Sequence, residues 1–183
     1  MHESVPSILS AWSSFYVITG SSAAALTGLM FVVISLVTGE ERVRKNPDGI
    51  STFSTPTVAH FCAAFLVSAI LNAPWRSLGP PATLLAIIAL YGIAYVLRVT
   101  HRTRRLETYV PDAEDLTWFS ALPLVAYGAI FAGAIALPAL AVNALFAVGG
   151  GVVLLILIGI RNAWDVVTFL ATGGAGGPTD GTA

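Results

Sequence analysis

The feature that most constrains this chain is Trp12 to Val37, WSSFYVITGSSAAALTGLMFVVISLV, 26 residues without a charge. As a helix it reaches ~39 Å at ~1.5 Å per residue, beyond the ~30 Å hydrocarbon core of a bilayer. A membrane span follows, tilted or begun in the interface. Eight of the nine residues from Gly20 to Gly28 are Gly, Ser, Ala or Thr. Small residues let another helix come close. This span is therefore expected to be the hub on which the other spans, or copies of the protein, dock.

Composition points the same way. The chain is 56% hydrophobic and only 10% charged, with mean hydropathy +0.80. A soluble domain usually carries about 25% charged residues to cover its water-facing surface, whereas lipid requires no such cover. A net charge of −1 lacks the basic surplus that a nucleic-acid partner demands. The single cysteine, Cys62, excludes an internal disulfide and a multi-cysteine metal site. No Lys or Arg precedes the first span, and its apolar run is too long for a signal peptide, so this helix is expected to stay in the mature protein. No lipidation motif is present.

Five spans emerge, at about 12–37, 57–73, 82–100, 116–137 and 143–165. Between the first two, residues 38–55 carry six charges and read as a solvated loop with a turn at Asn46-Pro47-Asp48-Gly49. Ser54 or Thr55 can cap the second span, with Pro56 near its first position. Pro80-Pro81 opens the third. Leu116 to Ile160 is 45 residues without a charge, too long for one crossing, so it folds back at Pro138 and Asn143. Pro123 is expected to kink the fourth span. The fold class is an all-α integral membrane bundle of five transmembrane helices. It forms one domain, residues 1–171, followed by a flexible Gly-rich tail, 172–183.

Alternating spans put Arg42, Arg44, Lys45, Arg98, Arg102, Arg104, Arg105 and Arg161 on one side and only Arg76 on the other. The positive-inside rule then gives an outside N-terminus and a cytoplasmic C-terminus. Trp12 and Trp75 fall at one set of span ends, Trp118 and Trp164 at the other, as an aromatic belt requires.

Three constellations carry candidate function. Gly20, Ala24 and Gly28, and Gly128, Ala132 and Ala136 with Ala129 and Gly133, form small-residue rows for close helix crossing. They suit packing within one bundle or a seam between copies. On the second span Thr57, His60, Ala64, Ser68 and Asn72 make a polar stripe. It can line a water path or a ligand site, or bind neighbouring helices by hydrogen bonds. Arg98, Arg102, Arg104 and Arg105, with Tyr91 and Tyr95 on the face of Arg98 and Arg102, can meet an anionic lipid headgroup or simply anchor the interface. Arg161 and Asp165 are spaced for an ion pair along one helix. Gly149-Gly150-Gly151 marks either a close crossing or a bend. No carboxylate lies mid-span, and no catalytic, phosphate-binding or zinc motif occurs. The sequence therefore implies no catalytic residue, no metal, no cofactor and no enzyme.

FYVITGSSAAALTGLMFVVISL, Phe15 to Leu36, resembles the first helix of small uncharacterised bacterial multi-pass integral membrane proteins. That resemblance implies a bacterial inner membrane and no particular activity. The expected function is structural or regulatory, through helix–helix association. The partners are the lipid bilayer and either a second copy, as a homo-oligomer, or another membrane protein. The alternative is an oligomeric channel or small-solute transporter, with the first span and the polar stripe of the second facing the path.

Overall fold

The structure is a computed structural model that describes residues 5–37, 47–103 and 116–171. The described residues are almost wholly helical. Five long helices follow in order: α1 (Val5–Val37), α2 (Pro47–Asn72), α3 (Gly79–Thr103), α4 (Leu122–Ala136) and α5 (Ala141–Ala171). A π-helical turn, Thr117–Ala121, leads into α4. The spans Ser7–Ser35, Gly79–His101, Thr117–Ala136 and Ala141–Asp165 are long and apolar enough to cross a membrane, and α2 adds a shorter apolar stretch, Pro56–Asn72. The chain is a multi-pass membrane protein.

α2, α5, α4 and α3 stand side by side as a four-helix square, with α2 and α3 the loosest edge. α1 lies outside that square, in the groove between α2 and α5. Side-chain contacts set the directions. Trp12 on α1 stacks edge-on against Phe146 near the start of α5, with ring centroids 4.7 Å apart, so α1 and α5 run parallel. Thr19 meets Ser68, late in α2, so α2 runs antiparallel to both. Trp12 and Trp75 thus mark one end of the bundle. The other end carries Arg161, whose guanidinium lies 5.7 Å from the Trp118 ring centre, and the nearby Trp164.

Among the spans of one chain, the hub is α5 rather than the expected α1. α1 packs through one face only, Leu9, Tyr16, Ala23 and Met30 at seven-residue spacing, all buried. α5 is the helix that touches α1, α2 and α4 together. The glycine run explains how. A Cβ on Gly149 would sit 3.1 Å from Phe15 of α1, and one on Gly151 would sit 2.7 Å from the Ala126 carbonyl of α4. One on Gly159 would overlap the Phe61 ring of α2. Missing side chains, turned three ways, admit three neighbours. A crossing, not a bend, is the reason for Gly149 and Gly151.

Several boundaries also move. α1 begins at Val5 rather than Trp12, and α5 continues to Ala171. Pro47 starts α2, so the turn foreseen at 46–49 gives way to a helix start. Proline suits that place because its missing N–H would have no partner in the first turn anyway. Pro56 is consequently inside α2 and not at its entrance. Pro123 does not simply kink a helix. The Leu122 N–H reaches back five residues to the Thr117 carbonyl, and this wider turn delivers Pro123 into the first turn of α4. The turn at Pro138 is where expected: the Ala139 and Leu140 amides both bond the Ala136 carbonyl, 3.0 and 2.8 Å. The tail from Thr172 lies outside the described residues.

Gly133 offers a direct check on the α4–α5 contact. A Cβ there would stand 2.6 Å from Val148 Cγ2 and 2.8 Å from the Ala144 carbonyl, whereas Gly128 has nothing within 4 Å. Gly133→Val should lower stability by about 1–3 kcal/mol, the usual cost of overpacking. Gly128→Ala should be neutral to slightly stabilising. Reversible unfolding in mixed micelles reads both; an unaffected Gly133→Val would contradict the packing.

Candidate functional site

The polar stripe of α2 is the starting point, because polar groups inside a membrane bundle are costly and usually have a purpose. Steps of four residues drift by ~40° each on a helix of ~3.6 residues per turn. The stripe therefore winds around α2 and faces different partners. His60, 2% exposed, points to α4, where its Nδ1 lies 3.0 Å from the Tyr127 hydroxyl. Ser68 has turned to α1, and its Oγ is 3.1 Å from Thr19 Oγ1. Asn72 is exposed at the Trp75 end and donates along its own helix to the Ser68 carbonyl, 3.1 Å. Thr57 is fully buried at the opposite end of the apolar stretch. The four candidates do not form one continuous line. His60 and Ser68 are joints between helices.

Two of these joints contain a residue the sequence reading did not single out for that role. Thr19 completes the α1–α2 joint and Tyr127 the α2–α4 joint. Tyr127 fits because Gly92 of α3 lies under its ring, where any Cβ would collide. Elsewhere Tyr16 Oη donates to the Leu145 carbonyl, 3.2 Å, tying α1 to α5. Thr100 of α3 and Ser120 of the π turn pair at 2.8 Å. A tyrosine, a serine or a threonine inside an uncharged run was the available signal. Nothing in the sequence said which would meet.

These groups are not spread evenly. The interior of the square is apolar at its Trp75 end, around Leu137, Leu145, Val148 and Leu85. Toward the Arg161 end it turns polar, with Thr57 and His60 from α2, Ser120 from the π turn and Asn162 from α5 all buried. Tyr127 and Thr100 join them through their hydrogen bonds. Asn162 continues the buried row of α5 that runs through Val148, Leu155 and Ile158. The sequence reading passed over it, drawn instead to its neighbour Arg161, which does pair with Asp165 as expected. No member of this polar core carries a fixed charge. No carboxylate shares it among the described residues, and no group of three His, Cys, Asp or Glu stands ready for a metal there.

The small-residue rows divide in a similar way. Gly20 faces Ser68, 2.9 Å from a Cβ position, and Gly133 faces α5. Ala24, Gly28 and Ala132 are exposed, and Gly128 is half-buried. Arg98 and Tyr91 are exposed on α3, with Tyr95 half-buried beside them. Arg104 and Arg105 lie outside the described residues, and Arg102 is described only by its place in α3.

The chain matches no protein-family model, and no curated protein or solved structure is detectably similar to it.

The His60–Tyr127 bond can be weighed by a double-mutant cycle. Interhelical hydrogen bonds in membrane proteins average ~0.6 kcal/mol and reach ~1.7. His60→Phe and Tyr127→Phe should each destabilise by about 1 kcal/mol. The double variant should cost less than their sum by about 0.6–1.7 kcal/mol, measured by unfolding in mixed micelles. Strict additivity would show that the two side chains do not interact.

Proposed function

We propose that this is a structural or regulatory multi-pass protein of a bacterial inner membrane, acting through lateral helix contacts made by the outward face of α1. The observation that carries this is the exposed waist of that helix. From Ser21 to Gly28, the exposed residues are Ser21, Ser22, Ala24, Ala25 and Gly28, and nothing lies within 4 Å of a Cβ on Gly28. The outward faces of α3 and α5 are instead bulky, with Leu84, Ile87, Leu90 and Tyr91 on one and Phe146, Leu157 and Trp164 on the other. Lipid tails have no preference for a narrow, hydroxyl-bearing waist, while another helix does.

The spacing supports a helix as the partner. Ser14, Ile18, Ser21, Ala25, Gly28, Val32 and Ser35 are all exposed and alternate steps of four and three. That is the seam of a left-handed helix pair. A second copy of this chain is the partner proposed. All five helices cross the bilayer in this reading, since α2 runs the length of the square between α1 and α5. By the positive-inside rule, Arg98 and Arg161 support a cytoplasmic location for their shared end, with the N-terminus outside. The second reading, an oligomeric channel or small-solute transporter, draws on the same serines, which several copies could enclose around a path.

The test uses Ser21→Cys in a chain carrying Cys62→Ser, in native membranes. Oxidation should give a covalent dimer, and Gly28→Leu should cut its yield several-fold. Leu145→Cys, buried in the square, should give none. Absence of the Ser21→Cys dimer would sink the pairing through α1. Flux into liposomes carrying the cross-linked protein separates the channel from the association reading.

A further inference from the structure

One group in the bundle breaks the pattern of the others. Asn162 is 1% exposed, and neither its Oδ1 nor its Nδ2 meets a hydrogen-bond partner from the protein. His60, Ser68, Thr19, Thr100 and Ser120 each have one. A carboxamide brings one acceptor oxygen and two N–H donors, and burial without partners forfeits the hydration of all of them. An apolar side chain would fill this place without that cost.

The position of Asn162 can be read from helix register. Gly159 of α5 faces Phe61 of the antiparallel α2. One turn further along α5, Asn162 is therefore level with the turn of α2 that carries Thr57. On α4 the pairs Gly133 with Val148 and Gly151 with Ala126 run the same antiparallel course. Extended to Asn162, they reach the π-helical turn Thr117–Ala121, in agreement with Arg161 against Trp118. Such turns occur mostly as single-turn insertions in helices, frequently at functional sites. Asn162 thus faces the polar end of the square, between α2 and the π turn.

We propose that Asn162 anchors a buried binding site for a small neutral molecule that both donates and accepts hydrogen bonds. The class follows from the surroundings. Thr57, Ser120 and Asn162 bring hydroxyls and an amide, and no buried acid or base of fixed charge accompanies them among the described residues. A bound ion would keep an uncompensated charge in a medium of low dielectric, so ionic ligands are disfavoured. Both ends of the amide are available, so the ligand engages an acceptor and a donor at once. Water and an amide- or alcohol-sized solute share that chemistry. The site is independent of the association proposed for α1.

The experiment is NMR of the full chain in micelles, labelled with 15N at asparagine. The Asn162 side-chain NH2 is assigned by its disappearance in Asn162→Leu, or in the smaller Asn162→Ser if the leucine variant does not fold. In buffer alone, a cross-peak from this NH2 to the water resonance identifies bound water. Titration with acetamide identifies the solute form, as a saturating shift of the Asn162 signal with Asn72 and Asn143 unmoved. Either result supports the site and names its source. An NH2 with neither a water contact nor a saturating shift, in a protein whose Asn162→Leu variant is at least as stable, would overturn it.

Discussion

The bundle depends on how closely backbones can approach α5. In lipid, apolar side chains gain little by leaving their surroundings, so helices associate by fitting surfaces together. α5 meets this requirement with missing side chains: Gly149 toward α1, Gly151 toward α4 and Gly159 toward α2. The first two are two residues apart and point to different neighbours because a helix turns ~100° per residue. The third is placed where the Phe61 ring needs room. This distribution makes the last helix, rather than the first, the one around which the square closes.

Close packing alone would leave the register of these helices weakly determined, since one apolar turn resembles the next. Polar joints remove that freedom. Thr19 with Ser68 sets α1 against α2, and Tyr16 with the Leu145 carbonyl sets α1 against α5. His60 with Tyr127 sets α2 against α4, and Thr100 with Ser120 sets α3 against the π turn. A slip of α2 by one residue would take His60 away from Tyr127 and Ser68 away from Thr19. Asn162 stands apart from this scheme, since its amide joins no two helices.

The fold class was legible because bilayer thickness leaves few options for long uncharged runs. The run from Leu116 to Ile160 could only double back, and Pro138 was a readable break. The start of α2 was not legible. Charges near Pro47 suggested a loop, yet a helix can begin in the interface with proline leading it. The rank of the helices was hidden as well. Small residues at Gly20 to Gly28 and at Gly149 to Gly151 look alike in sequence, and only the neighbours distinguish an inward glycine from an outward one. The polar stripe on α2 was legible, but which helix each of its residues meets was not, because a four-residue step accumulates rotation. Tyr127 sits in the longest uncharged stretch, where no charge or motif marks it, and Asn162 sits just beyond it in the shadow of Arg161.

The position of α1 also has a consequence for how the protein is made. Within this chain α1 is made before the other described helices, and it can pair with α2 as soon as that helix follows. Its bond from Tyr16 spans 129 residues of chain to Leu145. Until α5 arrives, the side of α1 carrying Trp12, Phe15 and Tyr16 has no protein against it, and the polar edge of α2 must wait for α4. The α1–α2 pair therefore lacks part of its packing until α5 is in place.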